Sequence, residues 1–392
     1  MRVLYSGGKV FDGTSEPVDG MAVLIDEGRV ARVGPMGEFD GYAGDKIDTA
    51  GATLMPGLID CHVHLCLGAE PDIHSARAKL SSAQMVLAAL GRAQATLAGG
   101  VTAIRDCGGM NYLEFAVRDA CNSGAQRGPT IRAAGKMICM TGGHGNTIGR
   151  VADGCDDVVR AVREQIHAGA DFIKIMATGG VMTPGVNPED AHYSPEEIRA
   201  GIQEGKRFHK RSASHAQGTM GILNAVRGGV DSIEHGIFMT EECVQEMIAG
   251  GTYLVPTLAA GKGMLSHFDS IPEYVRIKSE RIAGRPQKSL KMYYDAGGKI
   301  AMGTDAGVPY CQHGENAMEL EYMVEAGMAP IDAMRSATSV AAELLDLDDE
   351  GHIAEGAAAD LLIVDGDPAA DIAMVSRKEN HREVRKRGQL VV

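Results

Sequence analysis

His62-Val63-His64 closes the apolar run Leu54-Met55-Pro56-Gly57-Leu58-Ile59-Asp60-Cys61, and alternate residues of a strand point to the same face. Two imidazoles at such a strand end aim at one point in space, where a divalent cation can be held. Four more chemically capable side chains sit in or at the ends of later apolar runs. Lys174 lies within Asp171-Phe172-Ile173-Lys174-Ile175-Met176, where a lone ammonium is costly to bury. His215 ends Ser214-His215-Ala216, His235 ends Ile233-Glu234-His235-Gly236, and Asp305 ends Ala301-Met302-Gly303-Thr304-Asp305. Each alone has an ordinary use: a core histidine bonded to backbone, a lysine in a salt bridge, an aspartate capping a turn. Six of them on five strand ends form a pattern that those uses do not produce together.

The elements that must position them can be read from apolar periodicity. Strand-length runs alternate with amphipathic helical stretches, the pattern of a parallel sheet wrapped by helices. The expected strands are Leu58–His62, Val101–Arg105, Thr130–Ala134, Phe172–Met176, Ala213–Ala216, Ser232–His235, Tyr253–Pro256 and Ile300–Gly303. Eight strands with helices between them suggest an α/β fold of the (β/α)8 TIM-like type, with functional groups at the carboxyl ends of the strands. A doubly wound open sheet is the alternative, though no Gly-x-Gly-x-x-Gly opens its first turn. Ser194-Pro195-Glu196-Glu197 marks a helix start, with a capping serine, proline at the first helical position and glutamate three residues on. Residues 259–288 carry extra helix, expected as a lid or interface element. Both ends of the chain read as short β structure: Arg2-Val3-Leu4-Tyr5, then Met21–Ile25 and Arg29–Val33 about the turn Asp26-Glu27-Gly28, then Ala359–Val364 and Gln389–Val392. Neither end can build a core alone. The expected division is therefore a β-sandwich from 1–54 and 352–392, with the barrel over 55–351 inserted between them.

Composition limits the partners. The 392-residue chain is 44% hydrophobic and 23% charged, and its net charge of -14 argues against nucleic acid or an anionic membrane. No basic segment followed by an apolar stretch opens it, and no apolar run reaches the ~20 residues of a membrane span, so a cytoplasmic protein acting on a small molecule is expected. Eight cysteines without Cys-x-x-Cys spacing read as buried free thiols.

His144, in Thr141-Gly142-Gly143-His144-Gly145, sits in a glycine-rich loop that lets backbone approach a ligand closely, and is expected to donate a hydrogen bond to a carbonyl oxygen as charge develops there. A surface loop histidine is the alternative. His192, Tyr193, Gln217, Tyr253 and His313 fall near the expected mouth and are candidate substrate contacts. Arg105-Asp106 after the second strand reads as a structural ion pair, with a carboxylate anchor as the alternative.

Together these motifs resemble the amidohydrolase superfamily over nearly the whole chain: Met55 to His64, the lysine strand, His215, His235, Gly303-Thr304-Asp305, and the split sandwich including Gly356 to Asp365. The resemblance implies that His62, His64 and Asp305 bind the more buried of two divalent ions, that His215 and His235 bind the second, and that Lys174 bridges them as a CO₂-derived carbamate. Zinc is the expected metal, with manganese, cobalt or iron able to substitute. An amine attacks CO₂ only when unprotonated, and burial disfavours an ammonium. A carbamate has two oxygens, enough to bridge cations about 3.5–4 Å apart. The implied reaction is hydrolysis by a water shared between the ions, with Asp305 as both ligand and proton carrier.

Most one-metal deaminases and imidazolonepropionases of the superfamily lack the bridging lysine. The surroundings of Lys174, His144 and His235 look more like the imidazolonepropionase-related peptidases, so hydrolysis of a dipeptide or N-acyl amino acid is expected. Cyclic amides, aryl amides, ureas and carbamates are the alternative substrates, and a non-catalytic scaffold is the remote one. Prolidase-like members often place tyrosine two residues after the fifth-strand histidine; this chain has Gln217, a departure that weighs against proline specificity. Relatives of this kind commonly form homo-oligomers.

Overall fold

A computed structural model describes residues 2–392 and shows a mixed α/β chain. Parallel strands at Leu58–Val63, Val101–Asp106 and Thr130–Ala133 form one three-stranded sheet. Ile173–Met176, Ser212–Ala216, Ser232–His235 and Tyr253–Val255 follow in sequence order in a second parallel sheet, which the short strands Ile138–Cys139 and Arg150–Val151 extend. Seven of the eight expected runs are thus strands. Six of them are buried along their whole length, as strands covered on both faces must be, while Thr130–Ala133 alternates buried and half-buried positions.

Two seams join the sheets. At one, Asp171 N–H donates to Ala133 O at 2.9 Å. At the other, the expected eighth strand is reduced to a single parallel bridge from Ile300 to Leu254. Residues 301–306 nevertheless connect the seventh strand to the first: Ala301 N–H donates to Leu254 O, Cys61 N–H to Met302 O, and Asp305 N–H to His62 O. The segment passes so close to its neighbours that a Cβ on Gly303 would lie 2.3 Å from Val255 Cγ1 and 3.0 Å from His62 Cβ. Glycine is required there, and a residue with no side chain to pack is a poor strand former.

Helices fill the intervals between strands. Ser194 caps Pro195–Arg207 as expected, its hydroxyl accepting from Glu197 N–H while the Glu197 carboxylate accepts from Ser194 N–H. The region expected to carry extra helix holds Leu258–Ser266, Glu273–Ile282 and Arg285–Asp295. Among the described residues no helix is long and apolar enough to cross a membrane. The eight cysteines are unpaired, and all but Cys155 are buried.

The two ends of the chain meet. Met21–Asp26 and Arg29–Pro35 form the expected hairpin, whose two turn residues, Glu27 and Gly28, both have positive φ, the backbone that matches strand twist in a two-residue loop. Ala52–Pro56 pairs with Leu361–Asp365, and His381–Lys386 lies beyond it, so one sheet contains residues from both termini. Val3, Tyr5, Val23, Ile25, Leu54, Leu361 and Ile363 pack into a shared apolar cluster.

Candidate metal centre and its cavity

Register sets the site. His215 pairs with Met176 and His235 with Ala216, so the fourth, fifth and sixth strands end at one edge, where His62 and His64 also emerge. Ring centroids of His62 and His64 are 5.3 Å apart, those of His62 and His235 5.2 Å, and those of His215 and His235 4.6 Å. His62, His235 and Asp305 can present ligand atoms lying within 4.8 Å of one another. Asp305 Oδ1 stands 3.4 Å from His62 Nε2 and 3.2 Å from His64 Nε2, with no well-directed hydrogen bond of its own. His235 and Asp305 both have positive φ, at 74° and 64°. Backbone strain of this kind in residues other than glycine concentrates at functional sites.

Each histidine is fixed through one ring nitrogen. His62 Nδ1–H donates to the Glu234 carboxylate at 2.7 Å, His64 Nδ1–H to Gly108 O at 2.8 Å, and His215 Nε2–H to Gly179 O at 2.9 Å. His235 Nδ1 meets Thr257 Oγ1 at 2.7 Å. These bonds leave Nε2 of His62 and His64 and Nδ1 of His215 with lone pairs for a cation, the arrangement that fixes the tautomer of a metal-binding imidazole.

Lys174 is 2% exposed, lines the same cavity, and its Nζ has no hydrogen-bond partner among the described residues. A buried amine that bonds to nothing is costly, so the donor set fits a group that is to be completed by chemistry at that nitrogen. The electrostatics agree with a cation site. Burial, reinforced by Lys174, pushes His62 down to about 3; burial takes His235 down to about 4 and His215 well below its ordinary value. Those three rings are therefore neutral, as metal ligands must be. Burial opposes charge on Asp305, but the histidines facing it outweigh that and hold the carboxyl well below its usual range, and the carboxylate in turn, against burial, raises His64 above its ordinary value.

His144 also lines the cavity, its ring 4.5 Å from that of His215. Its Nδ1 lies 2.8 Å from Thr183 Oγ1, which already receives a proton from Gly145 N–H. Gln217 lines the cavity too. The other expected contacts lie elsewhere. Tyr253 opens its strand, at the end away from the site, with Lys299 Nζ 3.3 Å from its hydroxyl. Tyr193 is spent on the core, donating to Ala152 O. His313 is held behind His64, its Nε2 near the carbonyls of His64 and Leu67. His192 is buried with both ring nitrogens unpartnered, beside Gly143 but outside the cavity wall.

Two residues absent from the expected set hold the ligands in place. Glu234 links His62 to Arg105, whose guanidinium bonds the other carboxylate oxygen at 2.8 Å; Arg105 is structural, but its partner is Glu234 and not Asp106. Asp60 accepts from His62 N–H, from Thr304 N–H and hydroxyl, and from Asn316, tying the first strand to the segment that carries Asp305. Both are acids inside apolar strands, a signal the sequence does contain.

Comparison with known proteins follows the same lines. The amidohydrolase family matches residues 53–391. Ochratoxinase of Aspergillus niger is 30% identical over 427 residues, covering 100% of this chain and 86% of that protein. A crystal structure of a Xaa-Pro dipeptidase with bound methionine in the active site superposes with a TM-score of 0.92 at 35% identity, covering 100% of this chain and 99% of the other. A prolidase complexed with N-methylphosphonate-L-proline gives 0.90 at 32%, with 100% and 99% covered. With the family's span taking in every residue of the cluster, the chain belongs to the amidohydrolase family, within its prolidase-like branch.

Proposed function

We propose that the chain hydrolyses an amide C–N bond, in a dipeptide or an N-acyl amino acid, using two divalent cations. His62, His64 and Asp305 would hold one and His215 and His235 the other, with Lys174 between them as a carbamate. The reading carries with it a (β/α)8 barrel over 55–351 set into a β-sandwich of 1–54 and 352–392; the sequential parallel strands, the seams and the shared terminal sheet support it. The observation that carries the proposal is the Lys174 amine, buried beside His62, His215 and His235 without a partner among the described residues. An unprotonated amine and CO₂ give a carbamate anion and one proton, and that anion would supply negative oxygens for two cations that Asp305 alone does not provide.

Bound cations of this kind supply Lewis acidity and a water of low pKa; zinc suits the imidazole and carboxylate donors. The protein's own groups do the rest. His144 Nε2–H donates to the substrate carbonyl oxygen as it gains charge. Asp305, kept ionised by its histidines, takes the proton from the attacking water and passes it to the departing nitrogen. The apolar cavity and its helical cover exclude other water from the reacting bond.

Metal analysis and turnover test this together. Metal-replete protein is expected to hold two equivalents per chain and to cleave members of a panel of dipeptides and N-acyl amino acids. Lys174→Ala should lose bound metal and activity, with partial rescue by acetate or formate. Unchanged metal content and rate in that variant would sink the bridge.

A further inference from the structure

The cavity above the histidines has predominantly apolar walls, with Leu67, Ile73, Met137, Ile148, Met182 and Leu265 among them. Its lining contains a single carboxylate side chain, Asp305, which the cluster already engages, and one guanidinium, Arg77. Arg77 lies on the short helix Ile73–Ala78 and is half-buried; no hydrogen bond or ion pair from another described residue reaches its guanidinium. In a chain with 52 acidic against 38 basic residues, a partly desolvated guanidinium without a carboxylate calls for a reason. Burial pushes Arg77 below its ordinary value, whereas Arg105 and Arg118, which have carboxylate partners, are raised. A second buried polar group faces the same space: Gln217 is 6% exposed, and its side-chain oxygen has no donor.

We infer that Arg77 anchors the carboxylate of the substrate, and that the substrate class is an N-acyl amino acid with an apolar acyl group, anionic overall. The inference deepens the amide-hydrolase reading and rests on it. A guanidinium and a carboxylate pair through two parallel hydrogen bonds, so the anchor fixes direction as well as charge. A dipeptide would also bring an ammonium into this space, and no free carboxylate in the lining can meet it. An N-acyl amino acid brings only the carboxylate, places its apolar groups against the walls, and has an amide N–H to give to Gln217.

Binding of probes that cannot be cleaved tests this apart from turnover. The probes are the ketomethylene analogue of N-benzoyl-L-leucine, with CH₂ replacing the scissile N–H, its primary carboxamide, and the corresponding analogue of leucyl-leucine. Calorimetry with the metal-loaded protein should show the free acid binding at least about tenfold more tightly than the carboxamide and than the ammonium-bearing analogue. In Arg77→Gln the gap between acid and carboxamide should close, with carboxamide binding unchanged as evidence of an intact fold, and Arg77→Lys should keep part of it. Equal binding of acid and carboxamide to the unaltered protein, equal weakening of both by Arg77→Gln, or preference for the ammonium-bearing analogue would each overturn the inference. Turnover of N-benzoyl-L-leucine reports on the other reading: discrimination in binding without cleavage of any amide fails the hydrolase and leaves the anchor standing, while cleavage without discrimination does the reverse.

Discussion

Every imidazole of the cluster spends one nitrogen on the protein and keeps the other for the cavity, so the holding group matters as much as the ligand. Thr257 is the plainest case, because its hydroxyl meets His235 Nδ1 at 2.7 Å and its backbone, at φ 51°, is already strained. Thr257→Val keeps the shape and removes the hydroxyl. Loss of one such outer partner typically lowers metal affinity by roughly 10–100-fold. Competition with a graded series of chelators should show that loss for one of two bound ions, with the melting temperature of metal-free protein little changed. Equal affinity in both proteins would mean that His235 needs no orienting group. Glu234 does the same for His62 under heavier constraint, since it also neutralises the buried Arg105 and cannot be altered without exposing that charge.

At the scale of elements, the helix Glu273–Ile282 contributes Ser279 and Ile282 to the cavity wall, and one of its side chains ties it to a loop of the site. Lys278 is 7% exposed and its ammonium donates to Thr183 O at 2.6 Å and Gly180 O at 3.2 Å. Those carbonyls belong to the loop whose Gly179 O holds His215 and whose Thr183 hydroxyl holds His144. Helix and loop are thus one hydrogen-bonded unit. Hydrogen bonds to a charged group are worth about 1.5–3 kcal/mol, so Lys278→Met should weaken closure enough to raise KM roughly tenfold or more, and Lys278→Arg should restore part of it. Faster proteolysis within 258–295 should accompany the change; an unaltered KM would show that the lid is held by its apolar face alone. The strand ends were legible because buried parallel strands are continuous apolar runs, and a polar residue at the end of such a run stands out. Tyr253-Leu254-Val255 is equally apolar, but Tyr253 stands at its beginning, away from the carboxyl ends that carry the site, so its place in the run already argued against it. Gly303 shows a different limit, since the crowding that demands glycine comes from Val255 and His62, far away in sequence. Lys278 meets Gly180 across 98 positions, and Arg77 has no local signature at all, so lid and anchor became visible only when the chain was folded.

For the molecule as a whole, the question is how the C-terminal strands are fastened to the parallel array. His381 begins the strand His381–Lys386, donates through Nε2 to Val375 O, and packs its ring where a Cβ on Gly100 would lie. Burial lowers its proton affinity in the folded chain below the ordinary histidine value near 6.5. A group so lowered supports the fold above the unfolded value and loses that contribution as pH falls below it, because the unfolded chain then binds the extra proton. Compared with His381→Gln, the unaltered protein should therefore lose stability between pH 7.5 and pH 5, read from urea unfolding at both values; a constant difference would place the ring in water. Further along that strand lies the stronger fastening. The Lys386 ammonium bonds Asp360, donates to Glu350 at 3.3 Å and reaches Thr130 Oγ1 at 2.8 Å, while the Thr130 hydroxyl gives its own proton to Glu350 at 2.6 Å. The side chains of Asp360 and Glu350 are 2% and 3% exposed, and Thr130 begins one of the parallel strands, so this single cation joins terminal sheet to array. Lys386→Met would leave two buried carboxylates facing each other. Removing one partner of a buried charge group costs about 3–5 kcal/mol, since the remaining charge keeps its desolvation penalty and loses its compensation. Adding Asp360→Asn and Glu350→Gln to Lys386→Met should recover most of that loss, because no uncompensated charge then remains. If the single substitution costs less than about 1 kcal/mol, or the added substitutions deepen the loss, apolar packing and not this charge group fastens the two parts together.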